Sequence, residues 1–335
     1  MTLSPSTHTP ISSCGCRHED DFQAVMDYLR DTYASGLAKL TSYSTNMIRR
    51  VEKGVLKPSS TSTFSRLRSF LLFSTYGIFA LGPLQWYNIS IPADIRTAYK
   101  IGVPLVSLII ATFMRRNSRF SQYWRVFFGF FIGGTAFLLQ WLIFQFLTFP
   151  KTIESIALEK VLAALLIIIP IMALTKLSGN TLGSIYVKKG ELRTGLLVGV
   201  ASFAFFAISA VPSAISIFNA QNMGQNVIFE WAPWILVFVF ANGLLEEFMY
   251  RALFLKKYEM FFGPKIANIL QAVIFCTIHL SVAYTAEPYL FVILTFFLGL
   301  AWGYVMQRTD SLLGSVLFHA GTDIPIIISI FSTLF

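Results

Sequence analysis

The chain has 335 residues, of which 55% are hydrophobic and only 13% charged, so it carries too little polar surface to coat a soluble globule of its size. Its net charge of +9 does not point to nucleic acid, because the basic residues fall in short clusters between apolar runs, where membrane topology accounts for them. Runs such as 161–170 and 291–300 do not alternate in polarity, which excludes a membrane β-barrel.

In chain order, residues 1–68 are polar and rich in Ser and Thr, lack the apolar stretch of a cleavable signal peptide, and read as a cytoplasmic leader. Cys14 and Cys16 lie there and Cys276 lies in an apolar run, which makes neither a disulfide framework nor a four-ligand zinc pattern. A bilayer core about 30 Å thick needs roughly 20 apolar residues per helix. Such runs predict spans near 69–88, 99–114, 126–147, 160–176, 195–213, 231–255, 266–285, 289–306 and 311–334. The expected fold is all-α, a polytopic transmembrane helical bundle of eight to nine spans. The count turns on the first span, broken by Pro83, and the fifth, which ends at Pro212. Additional helices over 69–190 precede a unit over 195–335. Arg115, Arg116 and Arg119 follow the second span, Lys188, Lys189 and Arg193 the fourth, Lys256, Lys257 and Lys265 the sixth, and Arg308 the eighth. Asp94, Glu230 and Glu287 mark the intervening loops, so this multi-pass membrane protein is expected to have a cytoplasmic N-terminus.

Polar groups interrupt the last four spans. Glu246 and Glu247 occur in Asn242-Gly-Leu-Leu-Glu-Glu-Phe-Met-Tyr-Arg251, and a charged side chain at mid-bilayer costs at least ~3 kcal/mol, so both need an interior partner or a task. Arg251, four residues after Glu247, suits an ion pair along one helix face. Glu246 points about 100° away and has no local counter-ion. His279 follows in the seventh span, and His319 with Asp323 one turn later in the ninth. Counted from the predicted ends at 255, 266 and 311, Glu246, His279 and His319 lie roughly 14, 20 and 12 Å deep, which allows one buried layer.

A carboxylate in such a layer can take a proton from water, imidazoles can relay protons, and Arg can hold a second acid ionised. Glu246, His279 and His319 are equally ordinary ligands for Zn²⁺ with a fourth position open to water. The residue pattern alone does not separate the two chemistries. His-Glu-x-x-His and Gly-x-Ser-x-Gly are both absent.

The three elements Glu-Glu-x-x-x-Arg at 246–251, Phe-x-x-x-His at 275–279 and His-x-x-x-Asp at 319–323, in this order on successive apolar helices, resemble the CPBP intramembrane proteases. That family joins the type II CAAX prenyl endopeptidases with the Abi proteins of bacteriocin processing and immunity. The stretch from Gly299 to Asp323 is similar to the same family's approach to its third motif. The resemblance implies an intramembrane endopeptidase acting on membrane-anchored, CAAX-type or peptide-precursor substrates. It makes Glu246 the water-activating acid beside His279, gives His319 and Asp323 to the oxyanion or a metal ligand set, and leaves Glu247 and Arg251 as supports. Many members carry Asn at the position of Asp323, so Asp323 is expected either to be protonated, to orient His319, or to ligate metal. Two other classes fit buried acids and histidines: an ion-coupled transporter using them as a proton relay, and a catalytically silent immunity or scaffold protein. The first predicts matching halves, and the first five spans contain no counterpart of the acid and histidine set.

Overall fold

Long apolar runs fold as helices because a backbone in hydrocarbon must satisfy its own hydrogen bonds within the segment. The computed structural model describes residues 63–82, 92–118, 120–220, 225–282, 285 and 288–334. Most of the leader, including Cys14 and Cys16, lies outside the described residues, as does Pro83. Among the described residues there are ten α-helices and no strand. They are α1 (Thr63–Leu81), α2 (Ala93–Arg116), α3 (Trp124–Phe144), α4 (Ile153–Leu177), α5 (Leu192–Ile208), α6 (Ala210–Phe218), α7 (Gln225–Glu246), α8 (Leu255–Ile278), α9 (Pro288–Thr309) and α10 (Leu313–Ser332).

Seven of these are long and apolar enough to cross a membrane: α2, α3, α4, α7, α8, α9 and α10. An eighth is the pair α5 and α6 if it counts as one span, bent by 65° at Ser209. Of the eight to nine spans expected, the described residues supply seven, or eight with the bent pair. Where the first span was predicted, the described residues form α1, which begins at Thr63 inside the stretch read as leader and carries Arg66 and Arg68 near its start. It is not among the candidate spans. The fifth predicted span is the bent pair, and Pro212 falls within α6 instead of ending it.

Helix α10 is the hub, with α5, α6, α7 and α9 packed around it. Its contact with α5 is backbone to backbone: a Cβ on Gly314 would stand 2.7 Å from the Gly195 carbonyl oxygen, and one on Gly199 would stand 2.7 Å from Leu317 Cβ. Small residues are what allow membrane helices this approach. Gly314→Ala is expected to cost about 1–3 kcal/mol by overpacking, read as a lower unfolding midpoint in detergent, with His319 five residues further on displaced as well. The face of α9 formed by Gly299 and Gly303 packs against α8. There the Gln271 amide donates to the Gly299 carbonyl at 2.9 Å and the Asn268 amide to Leu300 at 2.8 Å, and a Cβ on Gly303 would overlap the Asn268 amide oxygen.

One end of the bundle is tied by charge. Asp310, in the turn between α9 and α10 at φ 50, pairs with Lys188 and accepts from Lys256 at 2.6 Å. Burial pushes its carboxyl up, but the two ammonium groups outweigh that and hold it below its ordinary 3.8. A carboxyl lowered on folding stabilises the native state above its unfolded pKa and loses that contribution as pH falls through the folded value. Acidification below about pH 4 should therefore lower the melting temperature of the wild type more than that of Asp310→Asn. Because both partners are half-exposed, the difference will be small.

Candidate active site

The site grows from an irregularity in the backbone. Helix α7 ends at Glu246, and Glu247–Ala252 form a π-helical turn, with the Leu253 amide reaching back five residues to the Phe248 carbonyl at 3.1 Å. Such turns insert one extra residue into a helix and are frequent at functional sites. The continuous helix expected over 231–255 is thus interrupted beside the paired acids. Arg251 still reaches Glu247, its Nη1 lying 3.1 Å from Oε1.

Glu247 is fully buried and saturated. Oε1 accepts from His319 Nδ1 at 2.8 Å and faces Arg251, while Oε2 accepts from the Ser315 hydroxyl. Ser315 also lies 3.1 Å from the Trp302 carbonyl. The Arg251 nitrogens make no aligned hydrogen bond, although Nη1 is within ion-pair range. The guanidinium instead lies over the Phe275 ring at 3.9 Å and the Trp302 ring at 4.9 Å, whose faces attract a desolvated cation. The Trp302 ring also stacks on His319, with centroids 3.8 Å apart and planes 6° from parallel. His319 is therefore fixed in its plane by Trp302 and along its axis by Glu247.

That leaves Nε2 of His319 facing the rest of the site, 3.5 Å from Glu246 Oε2 and 3.6 Å from Asp323 Oδ1. The other Asp323 oxygen accepts from the Asn242 amide at 2.9 Å. The Glu246 side chain keeps 11% of its surface accessible, against none for Glu247. Two neighbouring acids thus have different environments, one sealed and one reachable by water. His279 sits where α8 gives way to a short 3-10 turn, not mid-span as expected over 266–285. Its Nδ1 is 3.3 Å from the Phe275 carbonyl, and its ring is flanked by Phe275 at 4.8 Å and Phe291 at 5.3 Å. It lies within electrostatic reach of Glu246 without forming an ion pair with a carboxylate among the described residues.

All six predicted residues therefore gather in one buried layer, five in direct contact and His279 through the aromatic wall. Residues 228–325 match the family model described as type II CAAX prenyl endopeptidase Rce1-like. This stretch is similar to that family. It runs from α7 into α10 and contains every residue of the site, as the CPBP resemblance implied. No curated protein matches the chain, and no solved structure matches it.

The zinc set suggested for Glu246, His279 and His319 is not assembled in this structure. Among the described residues no group of three or more His, Cys, Asp or Glu side chains is arranged to hold a metal ion. Nδ1 of His319 is held by Glu247 and Nδ1 of His279 turns to its own helix, so any metal ion would have to be met by the Nε2 atoms.

Asn242, Ser315 and Trp302 were not expected in the site. Two carried a usable signal. Asn242 precedes Glu246 by four residues and Ser315 precedes His319 by four, so each shares a helix face with a residue already singled out. Trp302, which reaches His319 from another helix, had none.

Proposed function

We propose that the Rce1-like region is an intramembrane endopeptidase that hydrolyses peptide bonds of membrane-anchored substrates, CAAX-type or peptide-precursor, with water activated by Glu246. The support that carries this reading is the unequal pair of acids on one imidazole: Glu247 sealed at Nδ1 of His319, Glu246 partly open near Nε2. In this mechanism Glu246 takes a proton from water as the oxygen attacks the peptide carbonyl carbon. The C–N bond then breaks, and the same proton passes from Glu246 to the leaving nitrogen. His279 positions the water from the opposite wall, and His319, when its Nε2 carries a proton, donates to the oxyanion. Asp323 acts as a positioning residue, with its Oδ2 tied to Asn242. Glu247 and Arg251 fix His319. The Lys and Arg clusters further suggest a cytoplasmic N-terminus.

The purified full-length protein in proteoliposomes, given membrane-anchored peptides and followed by mass spectrometry of the products, is expected to generate new termini. A solute or proton flux without cleavage would overturn the reading in favour of a carrier. Treatment with a strong chelator should leave turnover unchanged. Loss of activity that added Zn²⁺ restores would overturn water activation by Glu246 alone.

A further inference from the structure

A second polar feature lies at the end of the bundle where α3 begins and α4 ends. Between these two ends and the start of α8 is a cavity of about 170 Å³, with room for several water molecules and hence for a phosphate group. Its charged wall is Arg125, Lys256 and Lys257, and no carboxylate is among its lining residues. Lys256 is committed to Asp310 at 2.6 Å. Among the described residues Arg125 and Lys257 pair with no carboxylate, and the acids of this end are engaged elsewhere. Asp310 serves Lys188 and Lys256, and Glu259 accepts from the Tyr186 hydroxyl and the Gln307 amide.

What Arg125 and Lys257 do touch leaves their charge in place. The Arg125 guanidinium lies 5.8 Å from the centre of the Trp124 ring, a ring that also faces Arg115 at 5.1 Å. The Lys257 ammonium donates to the Leu253 carbonyl, which uses one of its three hydrogens. The two cations stand within electrostatic reach of each other, so each raises the cost of the other, and an anion between them relieves it. Neutral donors complete the wall. Thr175 is 3% exposed, and its hydroxyl has no hydrogen-bond partner among the described residues. The turn after α4, opened by Gly179 at φ 79, brings the Asn180 backbone amide to the Thr175 carbonyl at 3.2 Å. The Asn180 side-chain amide spends one hydrogen on Ser178 at 2.8 Å and keeps the other.

Arg125 is the second residue of α3, Lys257 the third of α8, and Thr175 the third from the end of α4. Helix ends in a spanning bundle, with an indole at the same level, mark the interface where phospholipid phosphates lie. Phe128 and Ile132 continue the lining roughly 6 and 12 Å further along α3, and Met260 lies one turn beyond Lys256 on α8. This gives the charged end an apolar track, which suits an acyl chain and which a free anion would leave unused. We propose that this cavity binds a phosphate group, that of an anionic phospholipid, between Arg125 and Lys257. The inference rests on the cavity and holds whether or not the protease reading does.

The test is native mass spectrometry of the full-length protein, released from detergent containing dioleoyl phosphatidylglycerol, dioleoyl phosphatidylcholine or oleate. One phosphatidylglycerol is expected to stay bound to the wild type under activation that strips phosphatidylcholine and oleate. Arg125→Gln with Lys257→Gln should weaken its retention roughly thirtyfold, Arg125→Gln alone about fivefold, and Arg125→Lys with Lys257→Arg should restore it. Lys189→Gln, which removes an exposed cation outside the cavity, should change nothing. Equal retention of the two phospholipids, a preference for oleate, or undiminished retention in either Gln variant would overturn the assignment. So would an equal loss in Lys189→Gln, which would reduce the effect to general surface charge. Complete displacement by inorganic phosphate would also overturn it and make the site one for a free anion. Should the double variant fail to fold, the single variant at the exposed Arg125 decides.

Discussion

Glu246→Gln is expected to abolish peptide hydrolysis and to leave the helical bundle intact. The amide keeps the size of the side chain but cannot accept a proton from water, and the loss of a positioned general base is worth roughly a hundred- to ten-thousand-fold in turnover. Folding should be little changed, because among the described residues Glu246 makes no hydrogen bond and His319 Nε2 is 3.5 Å away. The measurement is kcat on a cleaved peptide beside an unfolding curve. Turnover within threefold of wild type would remove Glu246 from the mechanism, and a collapse in stability with proportionate activity loss would make it a structural acid.

The neighbouring residue should behave in the opposite order. Glu247→Ala leaves a fully buried guanidinium without its carboxylate and strips the acceptor from Ser315 and His319. Breaking one side of a buried ion pair typically costs about 3–5 kcal/mol, so this variant is expected to be expressed poorly and to unfold early. Pairing Glu247→Gln with Arg251→Met tests the two roles separately. Removing both charges should recover much of the stability but not the activity, since a neutral amide at 247 would hold His319 Nδ1 more weakly than the carboxylate does. Recovery of both would show that Glu247 only neutralises Arg251.

The contrast between the two acids marks how far the sequence could be read. Glu246, His279, His319 and Asp323 stood out because hydrocarbon excludes such groups, and a depth count was enough to put three helices into one layer. The count could not assign environments. Which acid meets water depends on where Trp302 and Ser315 arrive, and both come from other helices. Arg251 was paired correctly with Glu247 by its four-residue spacing, yet the spacing says nothing of the Phe275 and Trp302 faces that share the charge. The helices were legible from apolar length except where length is a poor guide. Thr63–Leu81 is apolar over its later turns but opens with Arg66 and Arg68, and the run over 195–213 is long enough to span while bending at Ser209.

The π-helical turn at Glu247–Ala252 has a consequence for how this site could be altered. One extra residue in a turn acts as a phase slip of about 100° between the helix on its N-terminal side and the helix on its C-terminal side. Glu246 and Asn242 belong to the angular frame of α7, whereas the start of α8 takes its orientation from the far side of the slip; the part of α8 that carries Phe275 and leads to His279 lies beyond a further break at Gly263, where φ is 75 and ψ 170. The slip therefore sets the angle between Glu246 and the Arg251 side of the same turn, while His279 is placed beyond the break at Gly263. Excising a single residue such as Phe248 is expected to restore regular winding and turn α7 by about 100° relative to the start of α8, disturbing the site with every one of its side chains but Phe248 still in the chain.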